Sequence, residues 1–191
     1  MNHPLWQPSA AQVAASNMTA LMRMAARQYG ADLSDYAALH AWSVDEPEKF
    51  NKLIWDFCGV IAERRGDIVL EHRERMPGAR WFPQARLNFA ENLLRRNDTS
   101  DALVFWGEDK VRRRMSWAEL NSAVSRLQQA LKASGVGVGD RVAAIVPNMP
   151  EAIIAMLAAA SLGAVWSSCS PDFGVQGVLD RFGQIEPKVL F

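Results

Sequence analysis

The sequence has 191 residues, which at roughly 150 residues per domain corresponds to one domain or a little more. Its 49% hydrophobic and 22% charged residues are typical of a globular chain, and this composition argues against a disordered or fibrous protein. Basic and acidic residues number 21 each, and this zero net charge argues against a dedicated nucleic-acid-binding protein.

The first hundred residues have the pattern of a helical region. Ser9 is placed to cap a helix that runs toward Gly30. A second helix would hold Pro47 in its first turn, and it is indicated by four apolar residues at helical spacing: Phe50, Leu53, Ile54 and Phe57. Residues 80–83 are predicted as a loop, and a short helix is predicted to open at Asn88.

The pattern changes after the first hundred residues. Residues 102–106 and 111–115 are predicted as the two strands of a hairpin, because apolar and polar side chains alternate in the second. Ser116 and Glu119 then have capping-box spacing, ahead of apolar residues at intervals of three and four. This spacing predicts a helix, and Gly135 is well placed to end it.

The remainder of the chain alternates between strand and helix patterns. The predicted strands and helices occupy residues 141–146, 151–162, 164–168, 174–186 and 188–191 in turn. Short links between them favour right-handed crossovers and a parallel sheet covered by helices. We therefore predict an α/β fold, with a helical N-terminal cap over residues 1–100 and the start of an α/β domain, incomplete, over residues 101–191.

The last predicted strand, residues 188–191, ends in the apolar run Val189-Leu190-Phe191 and has no loop or helix after it. A parallel strand is normally buried on both faces, so we expect the chain to be a fragment of a larger protein. A short native edge strand is the alternative. An uncovered apolar edge also predicts self-association of the chain.

Residues that often carry chemistry are scattered. Cys58 and Cys169 lie far apart without a CxxC pair, so we expect two reduced, packed thiols in a cytoplasmic protein, with no disulfide or structural zinc. No metal motif joins the three histidines, His3, His40 and His72. Residues 152–170 are the most apolar stretch, but Gly163 and several serines interrupt it. The first residues lack the basic segment and apolar core of a signal peptide, so no membrane association is expected.

Three further patterns have structural explanations. The glycine run 135–139 follows a helix and precedes a strand, the reverse of a dinucleotide-binding order, so a tight connection explains it better. The serines around residue 168 have no GxSxG elbow and no histidine after them. The basic run 110–114 lies on a predicted strand beside Glu108 and Asp109, which favours a solvated face over an anion site.

One loop remains as a candidate site. Residues 166–174 leave the carboxyl end of a predicted parallel strand and enter a helix, the position at which open α/β sheets bind ligands. The loop offers hydroxyl groups, a rigid proline, a carboxylate and an aromatic ring. The candidate binding residues are Ser170, Pro171, Asp172, Phe173 and Gly174. A structural role for the carboxylate, in which Asp172 caps the next helix, is the alternative.

Five motifs follow one another along the chain: Trp81-Phe82-Pro83 with Leu87-Asn88-Phe89-Ala90-Glu91-Asn92-Leu93, Met115-Ser116-Trp117-Ala118-Glu119-Leu120, Gly139-Asp140-Arg141-Val142, Pro147-Asn148-Met149-Pro150-Glu151 and Gly163-Ala164-Val165-Trp166-Ser167-Ser168. Together they resemble the early core of the adenylate-forming acyl-CoA synthetases, the first of them the N-terminal cap of the acetyl-CoA synthetase-like members. Residues 168–174 and Trp55-Asp56-Phe57-Cys58 are most similar to the acetoacetyl-CoA synthetase subfamily.

The resemblance implies a parent enzyme that uses ATP, Mg²⁺ and CoA. Such an enzyme forms an acyl-adenylate from ATP and a carboxylate, here acetoacetate, and the CoA thiol then displaces AMP. Its partners would be these small molecules, with no nucleic acid and no membrane. By the same resemblance, Ser170 to Gly174 would lie near bound CoA or acyl-adenylate.

The family's phosphate loop ending in Pro-Lys, its ribose-binding acid and its lid lysine match no position in this sequence. The resemblance therefore implies no catalytic residue and no metal ligand here, and we expect the chain alone to be inactive and not to bind these cofactors fully. Two alternatives stay open. One is a non-catalytic binding or assembly module derived from a synthetase fold, and the other is a fragment of an acetate- or propionate-CoA ligase.

Overall fold

The computed structural model describes residues 5–108 and 110–191, so His3 and Asp109 of the sequence predictions lie outside the described residues. The chain divides into two compact units between Arg86 and Leu87. The division marks where packing contacts are sparse, and the domain boundary at residue 100 stays a prediction.

Four helices form the first part of unit 1. Their bounds are Ala10–Ala14 (α1), Asn17–Tyr29 (α2), Tyr36–Asp45 (α3) and Pro47–Phe57 (α4). The single helix predicted from Ser9 toward Gly30 is instead two helices, because Ser16 caps a second one by accepting from the Thr19 N–H at 3.2 Å. Gly30 ends α2 in the left-handed region, at a φ of 65°.

A small apolar core joins the helices of unit 1. Its four buried side chains come from α2, α3 and α4: Leu21, Ala25, Leu39 and Leu53. The predicted helix with Pro47 in its first turn is confirmed, and its start, which the sequence left open by a few residues, is at Pro47, whereas α3 had no sequence prediction. After α4 the chain is mostly irregular, and Leu70–Glu71 (β1) pairs antiparallel with Arg80–Trp81 (β2). The predicted loop at residues 80–83 therefore starts as a short strand.

Unit 2 follows the predicted order of elements, with ends that differ by a few residues at most. Its elements are Phe89–Leu93 (α5), Asp101–Gly107 (β3), Val111–Ser116 (β4), Trp117–Ala133 (α6), Arg141–Ile145 (β5), Pro150–Ser161 (α7), Val165–Cys169 (β6), the 3₁₀ turn Pro171–Phe173, Gly174–Ile185 (α8) and Val189–Leu190 (β7). Strands β3 and β4 form the predicted antiparallel hairpin.

The predicted parallel sheet has three strands in the order β6-β5-β7. Val142 on the central strand β5 points into a core with α6 and α7, and its neighbour Ala143 points into a second core with α8. Alternate residues of a strand face opposite sides of a sheet, so helices cover both faces. The α/β fold class is confirmed.

The best-supported helix prediction, α6, begins and ends as its sequence indicates. Ser116 and Glu119 form the predicted capping box. At the other end Gly135 adopts a φ of 79°, its N–H bonds the Lys132 carbonyl, and the Val136 N–H bonds the Leu131 carbonyl, each at 3.0 Å. This pair of bonds is a Schellman motif, which directs the chain from α6 into β5.

The apolar stretch around α7 is a buried helix followed by a strand. Ile154, Leu157 and Ala158 of α7 are buried in the core of unit 2. Asn88, the N-cap residue of α5, donates from Nδ2 to the Ala160 carbonyl of α7 at 3.0 Å. Among the described residues, no helix combines the length and the apolar character needed to cross a bilayer.

The two cysteines differ in environment. Cys169 is buried on β6, but Cys58 is exposed at the end of α4, so the prediction of two packed thiols is wrong for Cys58. No disulfide joins them. Cys58 is the C-cap residue of α4, where the chain leaves the helix.

Candidate functional site

The carboxyl ends of three parallel strands meet at one edge of the sheet, called here the carboxyl edge. The chain leaves β5 at Val146 and enters α7 at Pro150. It leaves β6 at Ser170 and enters α8 at Gly174. All five candidate residues therefore lie at the carboxyl edge, where open α/β sheets bind ligands.

A first cavity of about 400 Å³ opens at this edge on the α7 side of the sheet. Its lining includes Asn148 from the β5–α7 loop, Met156 from α7, and Trp166, Ser168 and Ser170 from β6 and the residue after it. The serines and the amide are polar, whereas Trp166 and Met156 are largely apolar. The cavity thus has the mixed lining of a small-molecule site.

A second cavity of about 350 Å³ lies on the α8 side of the same edge. Pro171 and Gly174 of the candidate loop line it, together with apolar side chains from β5 and α8: Ile145, Val175, Val178 and Leu179. The candidate loop therefore separates two cavities, with Ser170 facing one and Pro171 facing the other. Asp172 and Phe173 line neither cavity.

Hydrogen bonds within the loop hold Asp172. The Ser170 hydroxyl donates to Asp172 Oδ2 at 2.9 Å, and Ser170 Oγ accepts from the Asp172 N–H at 3.3 Å. The alternative in which Asp172 caps the next helix is wrong, because Phe173 occupies the N-cap position of α8 and no side chain caps it. Ser170 caps the 3₁₀ turn instead. Gly174 follows with a φ of 65°, a conformation that favours glycine.

Phe173 has a neighbour that the sequence prediction missed. The guanidinium carbon of Arg181 lies 4.0 Å from the centre of the Phe173 ring, well inside cation–π range. The two residues are eight positions apart, which places them on the same side of α8 two turns from each other. The spacing can be read from the sequence, but it predicts a contact only once the start of α8 at Gly174 is known.

The β5–α7 loop was also missed as part of the site, because the sequence analysis treated residues 147–150 only as a turn. Asn148 lines the first cavity and also a smaller one of about 150 Å³ beside β3. The rule that directed attention to the end of β6 applies equally to the end of β5, and could have identified this loop.

One ion pair lies near the carboxyl edge, at the start of α7. Arg113 Nη1 on β4 donates to Glu151 Oε1 at 2.6 Å. This hydrogen bond lowers the pKa of Glu151, against a smaller opposing effect of burial. The neighbouring arginines also have partners, since Arg114 pairs with Asp101 and Arg112 lies over the Trp106 ring at 4.5 Å. The basic run is exposed, as predicted.

The glycine run lies at the opposite, amino edge of the sheet. As predicted, it connects a helix to a strand, here α6 to β5. Asp140 Oδ2 accepts from the Gly137 N–H at 2.8 Å and from Lys188 Nζ at 3.0 Å. These bonds, the Gly137 one first, lower the pKa of Asp140. The run supports the sheet and faces away from the candidate loop.

The described residues offer little for a nucleotide or a metal. They contain no group of three or more His, Cys, Asp or Glu side chains placed to hold a metal ion. Their glycine run lies at the amino edge, where it cannot serve the carboxyl-edge cavities. The described residues therefore show neither a metal-ligand cluster nor a glycine loop at the carboxyl edge for the phosphates of ATP.

Comparison with known proteins gives two family matches. The model of the AMP-binding enzymes matches residues 89–191, and that of the acetyl-coenzyme A synthetase N-terminus matches residues 36–93. The first covers more than half of the chain and includes both loops of the carboxyl edge.

Individual relatives agree with the family matches. The chain is 56% identical to acetoacetyl-coenzyme A synthetase of Rhizobium meliloti (strain 1021) over 97% of its own length and 28% of that relative. It is 40% identical to malonamoyl-CoA synthetase of Penicillium aethiopicum, over 98% of this chain and 27% of that protein. The chain thus spans less than a third of the length of these curated relatives.

A solved structure is similar over the whole chain. Acetoacetyl-CoA synthetase from Streptomyces lividans superposes with a TM-score of 0.92 at 46% sequence identity, and the match covers 100% of this chain and 30% of that one. Because the superposition includes the carboxyl edge, the two loops that line the cavities belong to the shared structure.

Proposed function

This chain belongs to the family of AMP-binding enzymes, and on that premise we propose that it forms part of an acetoacetate–CoA ligase. The whole ligase would convert ATP, acetoacetate and CoA into acetoacetyl-CoA, AMP and pyrophosphate, with Mg²⁺ accompanying the nucleotide. The observation that carries the proposal is the 56% identity to the Rhizobium acetoacetyl-coenzyme A synthetase over 97% of the chain. The Streptomyces structure supports it with a TM-score of 0.92.

Within that ligase we assign Ser170 to Gly174 to the neighbourhood of CoA or the acyl-adenylate. The position of the loop between two cavities at the carboxyl edge supports this assignment. The hydroxyl of Ser168 and the amide of Asn148 would add polar contacts on the first cavity's wall. Residues 170–174 would then shape one side of the ligand site, and the reacting groups would come from elsewhere in the ligase.

The same considerations lead us to propose that the 191-residue chain has no ligase activity alone. The described residues do not assemble a metal cluster, and the glycine run lies at the wrong edge for a phosphate. Stabilisation of charge in the adenylation step needs donors placed around the phosphates. We expect no acetoacetate-dependent ATP–pyrophosphate exchange from the isolated chain, and turnover by it would contradict this proposal.

A chimera tests the proposed function directly. The Rhizobium synthetase would carry this chain in place of its own matching residues, and ATP–pyrophosphate exchange would be measured with acetoacetate, acetate, propionate and malonamate. We expect exchange that is fastest with acetoacetate. The malonamate arm is needed because a malonamoyl-CoA synthetase is also 40% identical to this chain.

Two outcomes would contradict the proposal. A chimera that unfolds cooperatively but activates none of the acids would show that the chain does not perform the matching part of the synthetase. Sequencing the source DNA beyond the codon for Phe191 provides independent evidence, because a frame that continues into a Ser/Thr/Gly-rich loop ending in Pro-Lys supports the ligase, and a stop codon favours a non-catalytic module.

We also propose that the isolated chain self-associates through β7, an outer strand of its sheet. Strand β7 is an edge strand, and Leu190 on it is 53% exposed. Exposed apolar edge strands are templates for pairing with other chains. Light scattering should give a mass above that of a monomer at micromolar concentration, and replacing Leu190 by Lys should reduce it. A monodisperse wild-type monomer would contradict this expectation.

A further inference from the structure

The start of α8 contains a three-residue stack that the assignment of the candidate loop does not use. Phe173, Gly177 and Arg181 are spaced four residues apart, so they lie one above another on one side of the helix. Phe173 is the ring of the candidate loop, and it is 47% exposed. An aromatic side chain in that environment has few neighbours to fix its rotamer.

Gly177 allows the other two members to approach the helix. A Cβ atom built at this position would lie 3.4 Å from Phe173 Cβ and 3.4 Å from Arg181 Nη1. An added methyl group would thus contact both neighbours, and only a side chain longer than that of alanine would displace them. The glycine leaves a shallow space over the helix backbone, and the Phe173 and Arg181 side chains lie on either side of it.

Arg181 holds the ring from the far side of this space. Its guanidinium carbon lies 4.0 Å from the Phe173 ring centre, and its Nη1 donates to the Gly177 carbonyl at 2.8 Å. No carboxylate in the described part of the chain forms an ion pair with Arg181. The hydrogen bond fixes the guanidinium above the helix, and the exposed ring is its main contact.

We propose that Arg181 is a positioning residue that holds Phe173 and, through it, the candidate loop whose Pro171 and Gly174 line the second cavity. The inference rests on the proposed function, because it takes that cavity to be part of the CoA or acyl-adenylate site. Arg181 acts through the ring, so its loss weakens ligand binding without changing the chemistry. Removal of ground-state and transition-state binding to the same extent raises KM and leaves kcat unchanged.

The chimera described above provides the test, with KM for CoA and kcat for acetoacetyl-CoA formation as the readouts. Arg181→Met keeps the length of the side chain and removes the charge. We expect it to raise KM for CoA about two- to fivefold, the range that an exposed cation–π contact supports, with kcat unchanged. Arg181→Lys should restore part of the loss, because a cation remains over the ring.

A double-mutant cycle separates positioning from direct binding. Phe173→Leu alone should raise KM at least as much as Arg181→Met, and the double variant should be no worse than Phe173→Leu. The matched control is Arg126→Met on α6, whose Nη1 also reaches back four residues, to Ser122 Oγ, away from the carboxyl edge. It should leave both kinetic constants unchanged.

The outcomes distinguish the two proposals. If the parent chimera does not activate acetoacetate, the proposed function fails and the positioning role fails with it. If the parent chimera is active but Arg181→Met leaves KM for CoA unchanged, only the positioning role is overturned. Additive effects in the cycle also overturn it, because Arg181 would then contact the ligand independently of Phe173.

Discussion

The two edges of the three-stranded sheet are built in opposite ways. At the amino edge, charged side chains tie the elements together: Lys188 bonds Asp140 and the Gly135 carbonyl, and Arg141 Nε donates to the Ile185 carbonyl at 2.7 Å. These bonds join the chain just before β5 and just before β7 to the ends of α6 and α8. The charged side chains at the amino edge thus bond to residues of neighbouring elements of the same unit.

The carboxyl edge has few such ties. Two cavities open there, Asp172 bonds only within its own loop, and Val175 and Leu179 on α8 are largely exposed. Side-chain bonds therefore tie the elements together at the amino edge, whereas the carboxyl edge is open. This division of roles is the one expected for open α/β sheets.

The largest expected effect is a loss of stability when a buried side chain near the amino edge is shortened, compared with an exposed one beside the second cavity. Leu131 at the end of α6 is 2% exposed, so Leu131→Ala leaves a cavity and should lower the free energy of unfolding by about 2–5 kcal/mol. Leu179 is 60% exposed, and Leu179→Ala should change the free energy of unfolding by less than about 0.5 kcal/mol. Urea unfolding followed by tryptophan fluorescence measures both. Equal losses at the two positions would show that the carboxyl edge is packed like the amino edge.

Backbone conformation at the amino edge gives the next largest effect. Gly135 has a φ of 79°, and an alanine there should lower the free energy of unfolding by about 1–2 kcal/mol, since the left-handed region strains a residue with a Cβ. The strain is purely conformational, because the nearest atom to the added Cβ would be Lys188 Nζ at 3.8 Å.

Gly183 inside α8 is the matched control for that substitution. No atom lies within 4 Å of its added Cβ, and its φ is not positive. Gly183→Ala should raise the free energy of unfolding by up to about 1 kcal/mol, because alanine favours helix more than glycine. A stabilising Gly135→Ala would mean that the Schellman turn at the end of α6 does not form in solution.

Sequence patterns predicted unit 2 better than unit 1 for identifiable reasons. The capping box at Ser116, the spacing within α6 and the glycine at position 135 each specify a boundary locally. Helix α3 had no prediction, because its residues from Tyr36 to Asp45 are apolar all around and lack a periodic stripe. The break at Ser16 was missed, although serine is itself a preferred N-cap residue.

The candidate site was predictable in position but not in its contacts. The carboxyl-edge rule identified residues 170–174 from the order of strands alone. The same order could not show that Asp172 bonds Ser170, or that Arg181 reaches the Phe173 ring, because both depend on where the 3₁₀ turn ends and α8 begins. Side-chain contacts across one or two turns follow from boundaries that sequence patterns locate least well.

The amino edge should lose stability in acid through Asp140. The Gly137 N–H and Lys188 hold the pKa of Asp140 below its ordinary value, so the folded state binds this proton less readily than the unfolded state. Its stabilising contribution is complete above the ordinary aspartate pKa of about 3.9 and is lost as pH falls through the lower folded pKa. Asp140→Asn should therefore be less stable than wild type at pH 7, by a margin that shrinks below pH 4.

The control for this pH series is Gly183→Ala on α8, which changes no titratable group. Its difference from wild type should stay nearly constant between pH 7 and pH 3. Urea unfolding at a series of pH values gives both curves. A pH-independent difference for Asp140→Asn would rule out a tie between Asp140 and Lys188 in solution.

The smallest expected effect concerns the single ion pair described near the carboxyl edge. Arg113 Nη1 and Glu151 Oε1 lie 2.6 Å apart, but the two side chains are 42% and 44% exposed. Exposed ion pairs contribute about 0–1 kcal/mol to the free energy of unfolding. A double-mutant cycle with Arg113→Met and Glu151→Gln isolates that coupling, and 1 M NaCl should reduce it because the Debye length falls to about 3 Å. A coupling above about 2 kcal/mol that persists in salt would make this pair a desolvated tie between β4 and α7. The carboxyl edge would then be held as firmly as the amino edge, and the distinction between a supporting edge and an open one would fail at its most sensitive point.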